Sequence, residues 1–328
     1  MQLPTLADIE RAATLVHGAM PPTPQYSWPL LNEALGLEAW VKHENHTPTG
    51  AFKVRGGLVY LDALLRRQPD AKGVIAATRG NHGQSIAFAA RRHGIPATIV
   101  VPHGNSLEKN AAMRALGATL VEHGQEFQEA REHAIALAER EGLHMVPSCH
   151  PDLVAGVATG WLELLRARPG LASVLVPIGQ GSSFCAAVAA RNALGLATRL
   201  IGVVSAHAPG YQLSFRSGRA VESPVTTVVA DGLACRVPDP ASLAVVLAHA
   251  DDVVAVTDAE VEQAMRLYYR CTHNLAEGAG AAALAAALGL RAAGRLGDAP
   301  IGLPLSGGNV DAAQFARVLG AAQASCIA

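Results

Sequence analysis

One lysine carries the first chemical signal in this chain. Lys53 sits in KHENHTPTGAFKVRGG, behind a Pro- and Gly-rich approach and ahead of Arg55 and two glycines. A lysine amine forms a Schiff base only after losing its proton, and burial and nearby positive charge both favour that loss. Arg55 and the largely uncharged flank are compatible with it, although read alone Lys53 is more readily a surface lysine at a helix start. A second cluster is TRGNHGQS, Thr78 to Ser85. A strand-to-helix turn there leaves free backbone N–H groups and a positive dipole end where a carboxylate can dock. Asn81 offers donor and acceptor groups to a cofactor ring, and His82 is a ligand, an acid, a stacking partner or merely structural. The third cluster, VPIGQGSSF, places Gly179, Gly181, Ser182 and Ser183 where backbone and hydroxyl donors can hold a phosphate. No lysine follows as in a Walker loop, and Phe184 holds the third glycine position of the dinucleotide motif. The fourth, LPLSGGNVD, sets Ser306 after an apolar run and before Gly307, Gly308 and Asn309, either to face a pyridine nitrogen or simply to end a strand.

These residues need elements to hold them, and the sequence supplies a repeating theme of short apolar run, small-residue turn and amphipathic helix. That is an α/β pattern. Strands are predicted at Val74 to Ala77, Ala97 to Val101, Thr119 to Glu122, Ser173 to Pro177 and Leu200 to Ser205. Helices are predicted at Gln84 to His93, Ser106 to Leu116, Phe127 to Arg140 and Phe184 to Ala193. Alternation implies parallel sheets with ligands at the carboxyl ends of the strands, where the motif-bearing turns collect. A domain boundary is expected after about Glu141, where HMVPSCHPD is rich in Pro and polar residues.

Bulk composition narrows the partners. With 328 residues, half of them hydrophobic, the chain is long enough for a large core and two domains. Its 26 basic and 27 acidic residues give neither the basic field of a nucleic-acid binder nor a polybasic membrane patch, which leaves a small molecule. The five cysteines, Cys149, Cys185, Cys235, Cys271 and Cys326, form no C-x-x-C pair, so neither a disulfide framework nor a zinc site is expected. The amino terminus does not read as a signal peptide, and the uncharged stretch from Gly278 to Leu290 is shorter than a membrane span and reads as a buried helix. A cytoplasmic protein is the expectation.

Taken together, AFKVRGG, GNHGQ, VPxGxGS and SGGN, in this order and at these separations, resemble the fold-type II pyridoxal-phosphate enzymes, particularly the threonine and serine dehydratases and serine racemase. HPDLVAG from His150, ADG from Ala230 and EGAGAAAL from Glu277 extend the likeness over nearly the whole chain. The resemblance implies a tryptophan synthase β-like fold of two three-layer α/β/α domains with mainly parallel sheets. Residues 1–45 with 145–328 would form the large cofactor-binding domain and 46–144 the small substrate-side domain. It also implies pyridoxal 5'-phosphate held by Lys53 as a Schiff base, with Phe52 beside the ring and Asn81 on the phenolic oxygen. Gly179, Gln180, Gly181, Ser182 and Ser183 would hold the phosphate and Ser306 the pyridine nitrogen. Thr78, Gly80, Asn81 and His82 would hold the substrate carboxylate, with Arg79 beside them. The activity implied is β-elimination from a 3-hydroxy amino acid, giving a 2-oxo acid and ammonia, by a homodimer.

Departures from the family pattern sharpen this. Ala51 stands where serine is usual, and Gln180 and Ser182 interrupt a run of glycines. Arg79 stands where serine racemase has the serine that works opposite the lysine, and a permanently charged group is a poor base, so racemisation is disfavoured. Arg79 could instead contact the substrate carboxylate, a side-chain acid or the phosphate, or point outward; threonine, serine, phenylserine and 3-hydroxyaspartate all stay open as substrates. Ser205 and Tyr211 stand where serine racemase has acidic metal ligands, so no magnesium or calcium is expected there, while a monovalent ion on backbone oxygens stays open. The sequence stops at Ala328, soon after SGGN, so the regulatory domain of biosynthetic threonine dehydratases is not expected and a catabolic or specialised role is. The competing readings are a β-replacement enzyme, a racemase, an inactive ligand-binding module and a nucleotide binder using GQGSS alone.

Overall fold

The structure is a computed structural model that describes residues 1–321; Cys326 lies outside the described residues. The chain opens with α1 (Leu6–His17), β1 (Gln25–Ser27), α2 (Pro29–Leu35) and β2 (Ala39–His43), then enters α3 (Lys53–Arg67). Next come β3 (Val74–Ala77), α4 (Asn81–His93), β4 (Ala97–Val101), α5 (Leu107–Ala115), β5 (Thr119–Glu122), α6 (Phe127–Glu141) and β6 (His144–Met145). The remainder runs α7 (Pro151–Ala167), β7 (Ser173–Pro177), α8 (Ser182–Ala193), β8 (Arg199–Ser205), α9 (Gly210–Ser217) and α10 (Pro240–His249). It closes with β9 (Asp252–Val256), α11 (Asp258–Thr272), α12 (Gly278–Ala292), β10 (Ile301–Leu305) and α13 (Ala312–Gly320).

Two sheets organise these elements. One has the order β1-β2-β10-β7-β8-β9 and the other β5-β4-β3-β6. Every pairing is parallel except that of β1 with β2. Strands β3, β7 and β10 are buried at every residue, as expected of parallel sheets covered on both faces. The larger sheet lies between α2, α11 and α12 on one side and α1, α7, α8 and α10 on the other. The smaller sheet is covered by α3 and α4 on one face and α6 on the other.

Most of α12 is alanine and glycine, and every residue from Gly278 to Ala287 is buried, as the uncharged composition suggested. Its narrow cross-section lets the backbone approach neighbours closely: a side chain at Gly278 would collide with the Val229 carbonyl, and one at Gly280 with the Gly307 carbonyl.

The predicted strands match, with β8 starting one residue earlier than expected. Two helices begin sooner than expected. α4 starts at Asn81 and α8 at Ser182, because Gly80 and Gly181 alone make the turns and the residues after them already adopt helical geometry. The polar residues of both motifs therefore lie in first helical turns. Among the described residues, no helix is long and apolar enough to cross a membrane.

Candidate active site

Lys53 is the first residue of α3, and the chain before it is sewn to the end of β10. Thr47 Oγ1 accepts from Ala51 N and donates to Ala51 O, both at 2.9 Å, after a turn with Gly50 at φ 68°. Phe52 N donates to Ser306 O at 3.0 Å, and Ala51 bridges Gly307. From this anchor α3 packs on two helices through its paired glycines. A side chain at Gly57 would overlap Ser85 of α4, whose hydroxyl donates to Lys53 O at 2.6 Å. One at Gly56 would stand 2.9 Å from Leu153 O of α7, and Gly156 of α7 presses against the Arg55 backbone from the other side. The start of α3 is thus fixed by backbone contacts.

The Lys53 side chain is not exposed and lines a cleft together with the 78–82 and 179–183 segments and Ser306, which argues against the surface-lysine alternative. Its Nζ lies 3.1 Å from Ser182 Oγ and 5.2 Å from the Phe52 ring centre. Burial pulls its ammonium below the ordinary lysine value. The expected help from Arg55 is not realised. Two residues along a helix point to different faces, and Arg55 turns away into a buried cluster with Glu44 (2.7 Å) and Glu163 (2.7 Å), beside Lys42, which reaches Glu163 at 2.6 Å. Its charge is already neutralised there. Burial would raise the Glu163 carboxyl, but Arg55 and Lys42 outweigh it and hold Glu163 down at about 2.

The 179–183 segment lies beside the lysine tip. Gly181 has φ 92°, a conformation that suits glycine, and a Cβ there would stand 2.5 Å from Ser242. Ser242 Oγ donates to Gln180 O at 3.1 Å, so the loop is tied to α10 from behind. No side chain caps α8, which leaves its first N–H groups open toward the cleft with the Ser182 and Ser183 hydroxyls. Ser306, just after β10, lines the same cleft. Pro304 has no N–H, and the ladder from β10 to β7 ends at Gly302, so Ser306 and the 179–183 loop project from strand ends that are not paired with each other.

The turn from β3 into α4 forms a third wall. Thr78 Oγ1 accepts from Gly80 N at 2.9 Å and Gly83 N at 3.4 Å. Asn81 Nδ2 donates to Glu277 at 2.5 Å while Oδ1 accepts from Asn309 at 2.8 Å, an arrangement that fixes the amide and leaves one N–H free. Burial, then the neighbouring Lys53, pushes His82 down to about 3, so its imidazole is neutral, and its Nε2 has no partner. Arg79 lines the cleft, half-buried, and makes no hydrogen bond or ion pair with another described residue.

Three cleft residues were not singled out by the sequence reading. Lys109 Nζ lies 2.7 Å from Asp231 and 3.3 Å from Glu277, which also holds Asn81. Burial alone would lower Lys109, but the two carboxylates hold its ammonium well above the usual value, while burial pushes the Glu277 carboxyl up despite Lys109. Asp231 and Glu277 fall in segments that carried the resemblance; Lys109 has no local signal, because its partner lies 122 residues away. At the positions compared with a metal site, Ser205 Oγ accepts from His207 N at 3.1 Å and Tyr211 Oη lies 2.5 Å from Ser242 Oγ. Among the described residues, no three His, Cys, Asp or Glu side chains group to hold a metal.

A lysine beside an uncapped helix N-terminus, in a cleft that a neutral serine hydroxyl also lines, on two mainly parallel sheets, is the arrangement that the resemblance to fold-type II pyridoxal-phosphate enzymes led one to expect. Residues 16–307 match the family described as pyridoxal-phosphate dependent enzyme, and the chain belongs to that family. It is similar to the L-threonine ammonia-lyase of Geobacter sulfurreducens, at 38% identity over 85% of this chain and 69% of that protein. It is also similar to the L-threo-3-hydroxyaspartate ammonia-lyase of a Pseudomonas species, at 32% identity over 97% of this chain and 99% of that one. Among solved structures, maize serine racemase superposes with a TM-score of 0.89 at 26% identity, covering 100% of each chain. The chain is a pyridoxal-phosphate-dependent lyase of the ammonia-lyase kind.

Proposed function

We propose that this enzyme converts a 3-hydroxy amino acid to a 2-oxo acid and ammonia, taking the α-proton and expelling the β-hydroxyl. The observation that carries the reading is the position of Lys53 Nζ, 3.1 Å from Ser182 at the uncapped N-terminus of α8, with its proton loosened by burial. The names of the relatives, acting on threonine and 3-hydroxyaspartate, support the substrate type.

The residues present suit pyridoxal phosphate. The unpartnered Nε2 of His82 and the N–H groups at the uncapped start of α8 are features a bound anion and ring would complete. When bound, the cofactor supplies an electron sink for the carbanion formed at Cα. Phe52 would stand beside the ring, and the free N–H of Asn81 would serve its phenolic oxygen. Gly179, Gln180, Gly181, Ser182 and Ser183 hold the phosphate. Ser306, which lines the cleft, would offer the pyridine nitrogen a neutral hydroxyl rather than a carboxylate, a partner that suits elimination better than transamination. Thr78, Gly80, Asn81 and the neutral His82 would hold the substrate carboxylate, and Lys53, its proton loosened by burial, would be the base that takes the α-proton. Arg79 cannot accept a proton, so the second base that racemisation needs is missing. Residues 1–45 and 145–328 make the cofactor side and 46–144 the substrate side, 322–328 lying outside the described residues. The enzyme works as a cytoplasmic homodimer.

The test is a visible spectrum of the purified protein, then assay of 2-oxo acid and ammonia from serine, threonine, phenylserine and 3-hydroxyaspartate. One of these yields both products, and Lys53→Ala removes the Schiff-base absorbance and the activity together. Bound cofactor with no product from any of the four overturns the dehydratase reading.

A further inference from the structure

We propose that Arg79 is a specificity-determining residue that pairs with a second carboxylate on the substrate side chain, so that the enzyme prefers the 3-hydroxyaspartate class over serine and threonine. This rests on the dehydratase reading above and adds the substrate's side chain to it.

Charge balance around the cleft is the first support. Of the cations lining it, Lys109 is held by Asp231 and Glu277, and Lys53 is committed to the cofactor. Arg79 makes no ion pair with another described residue, although its guanidinium carries five N–H donors and never loses its charge at working pH. Its backbone is not loose. Thr78 Oγ1 ties the turn through Gly80 N and Gly83 N, and Gln84 N donates to Gly80 O at 3.0 Å, so the side chain extends from a fixed point.

Position is the second support. The cleft continues into an adjoining cavity through a neck formed by Ala77, Arg79, Phe127, Ser148, Gln180 and Ala234, residues that line both spaces. Beyond the neck, Arg236 lies 3.8 Å from Glu126, and Asp239 is engaged as the cap of α10 through Ser242 N at 2.9 Å. Those charges have partners; Arg131 and Glu222, exposed residues that also line the adjoining cavity, make no ion pair with another described residue either, but of the three Arg79 alone also lines the cleft that holds Lys53. A substrate anchored by its amino group near Lys53 and by its α-carboxylate at the start of α4 has only its side chain left to face this neck. Hydroxymethyl and hydroxyethyl groups offer the guanidinium no charge; a carboxylate takes two parallel N–H bonds, among the strongest hydrogen bonds in proteins.

The experiment compares the holoenzyme with Arg79→Ser and Arg79→Lys. Its readouts are kcat/KM for L-threo-3-hydroxyaspartate and for serine, the affinity for succinate against propionate by calorimetry, and cofactor retention by absorbance. The ratio of the two kcat/KM values should fall by roughly 10- to 100-fold in Arg79→Ser, mainly through KM, the range expected for one charge-assisted pair. Succinate affinity should fall by a similar factor with propionate little changed, and Arg79→Lys should recover part of both. An equal fall for both substrates would assign Arg79 to the α-carboxylate, and loss of cofactor would assign it to the phosphate; either overturns the proposal. An unaltered ratio overturns it while leaving the dehydratase reading standing, whereas absence of 2-oxo acid from every substrate strikes that reading first.

Discussion

Replacing Glu163 by glutamine keeps the side-chain shape and removes one charge from the buried cluster around Arg55. In the folded protein this carboxyl is held at about 2 against an ordinary 4.5, because Arg55 and Lys42 outweigh the cost of burial. At about 1.4 kcal/mol per tenfold change in proton affinity, the charged form contributes about 3 kcal/mol to stability at neutral pH. The sign follows from the folded value lying below the unfolded one. The contribution is complete above about pH 5 and is lost as pH falls from 4.5 through 2, leaving roughly 2.5 kcal/mol at pH 4 and about 1.4 kcal/mol at pH 3. Glu163→Gln should therefore be less stable than the parent by about 3 kcal/mol at pH 7, and the gap should narrow on acidification. Urea unfolding followed by the fluorescence of Trp28, Trp40 and Trp161, at fixed cofactor concentration, reads this directly. A gap as wide at pH 3 as at pH 7, or one under about 1 kcal/mol at pH 7, would refute the idea that the cluster depends on this charge.

Two glycine substitutions probe how the lysine and the phosphate loop are held. In Gly156→Ala the new methyl would stand 2.8 Å from Gly56 Cα and closer still to the Arg55 carbonyl, so α3 must shift. We expect about 1–3 kcal/mol lost in urea unfolding and weaker cofactor binding in absorbance titration; unchanged cofactor affinity would mean that α3 does not set the lysine position. Gly181→Ala combines the φ of 92° with a 2.5 Å collision against Ser242, and cofactor affinity should fall by about tenfold or more. Gly195→Ala is its control: its φ of 64° is strained but nothing lies within 4 Å, so it should lower stability by about 1–2 kcal/mol and leave cofactor affinity alone.

The strands were legible because continuous apolar runs such as VLVP and ATIVV are what a doubly covered parallel sheet demands. The starts of α4 and α8 were less so. Polar residues such as Asn81 and Ser182 look like loop, yet they are also what an uncapped first turn facing an anion carries. Arg55 was misjudged because closeness along the chain was taken for closeness in space, and helical geometry sends it to Glu44 and Glu163. Lys109 could not have been found locally. Its meaning comes from carboxylates brought to it by the other sheet's connections, and nothing in the run from Ser106 to Leu116 announces them.

Helix α12 has a practical consequence for anyone mapping this enzyme by mutation. Its neighbours pack against alanine and glycine, so a library built on replacement by alanine passes over Ala279, Ala281, Ala282 and Ala283 without registering them. Yet these buried alanines alternate with and follow Gly278 and Gly280, the two residues that bring the helix's first turn against the Val229 and Gly307 carbonyls, next to Glu277 and the cleft. Only a scan that adds volume, to valine or leucine, can report how much of the active site's shape is set by side chains that are barely there.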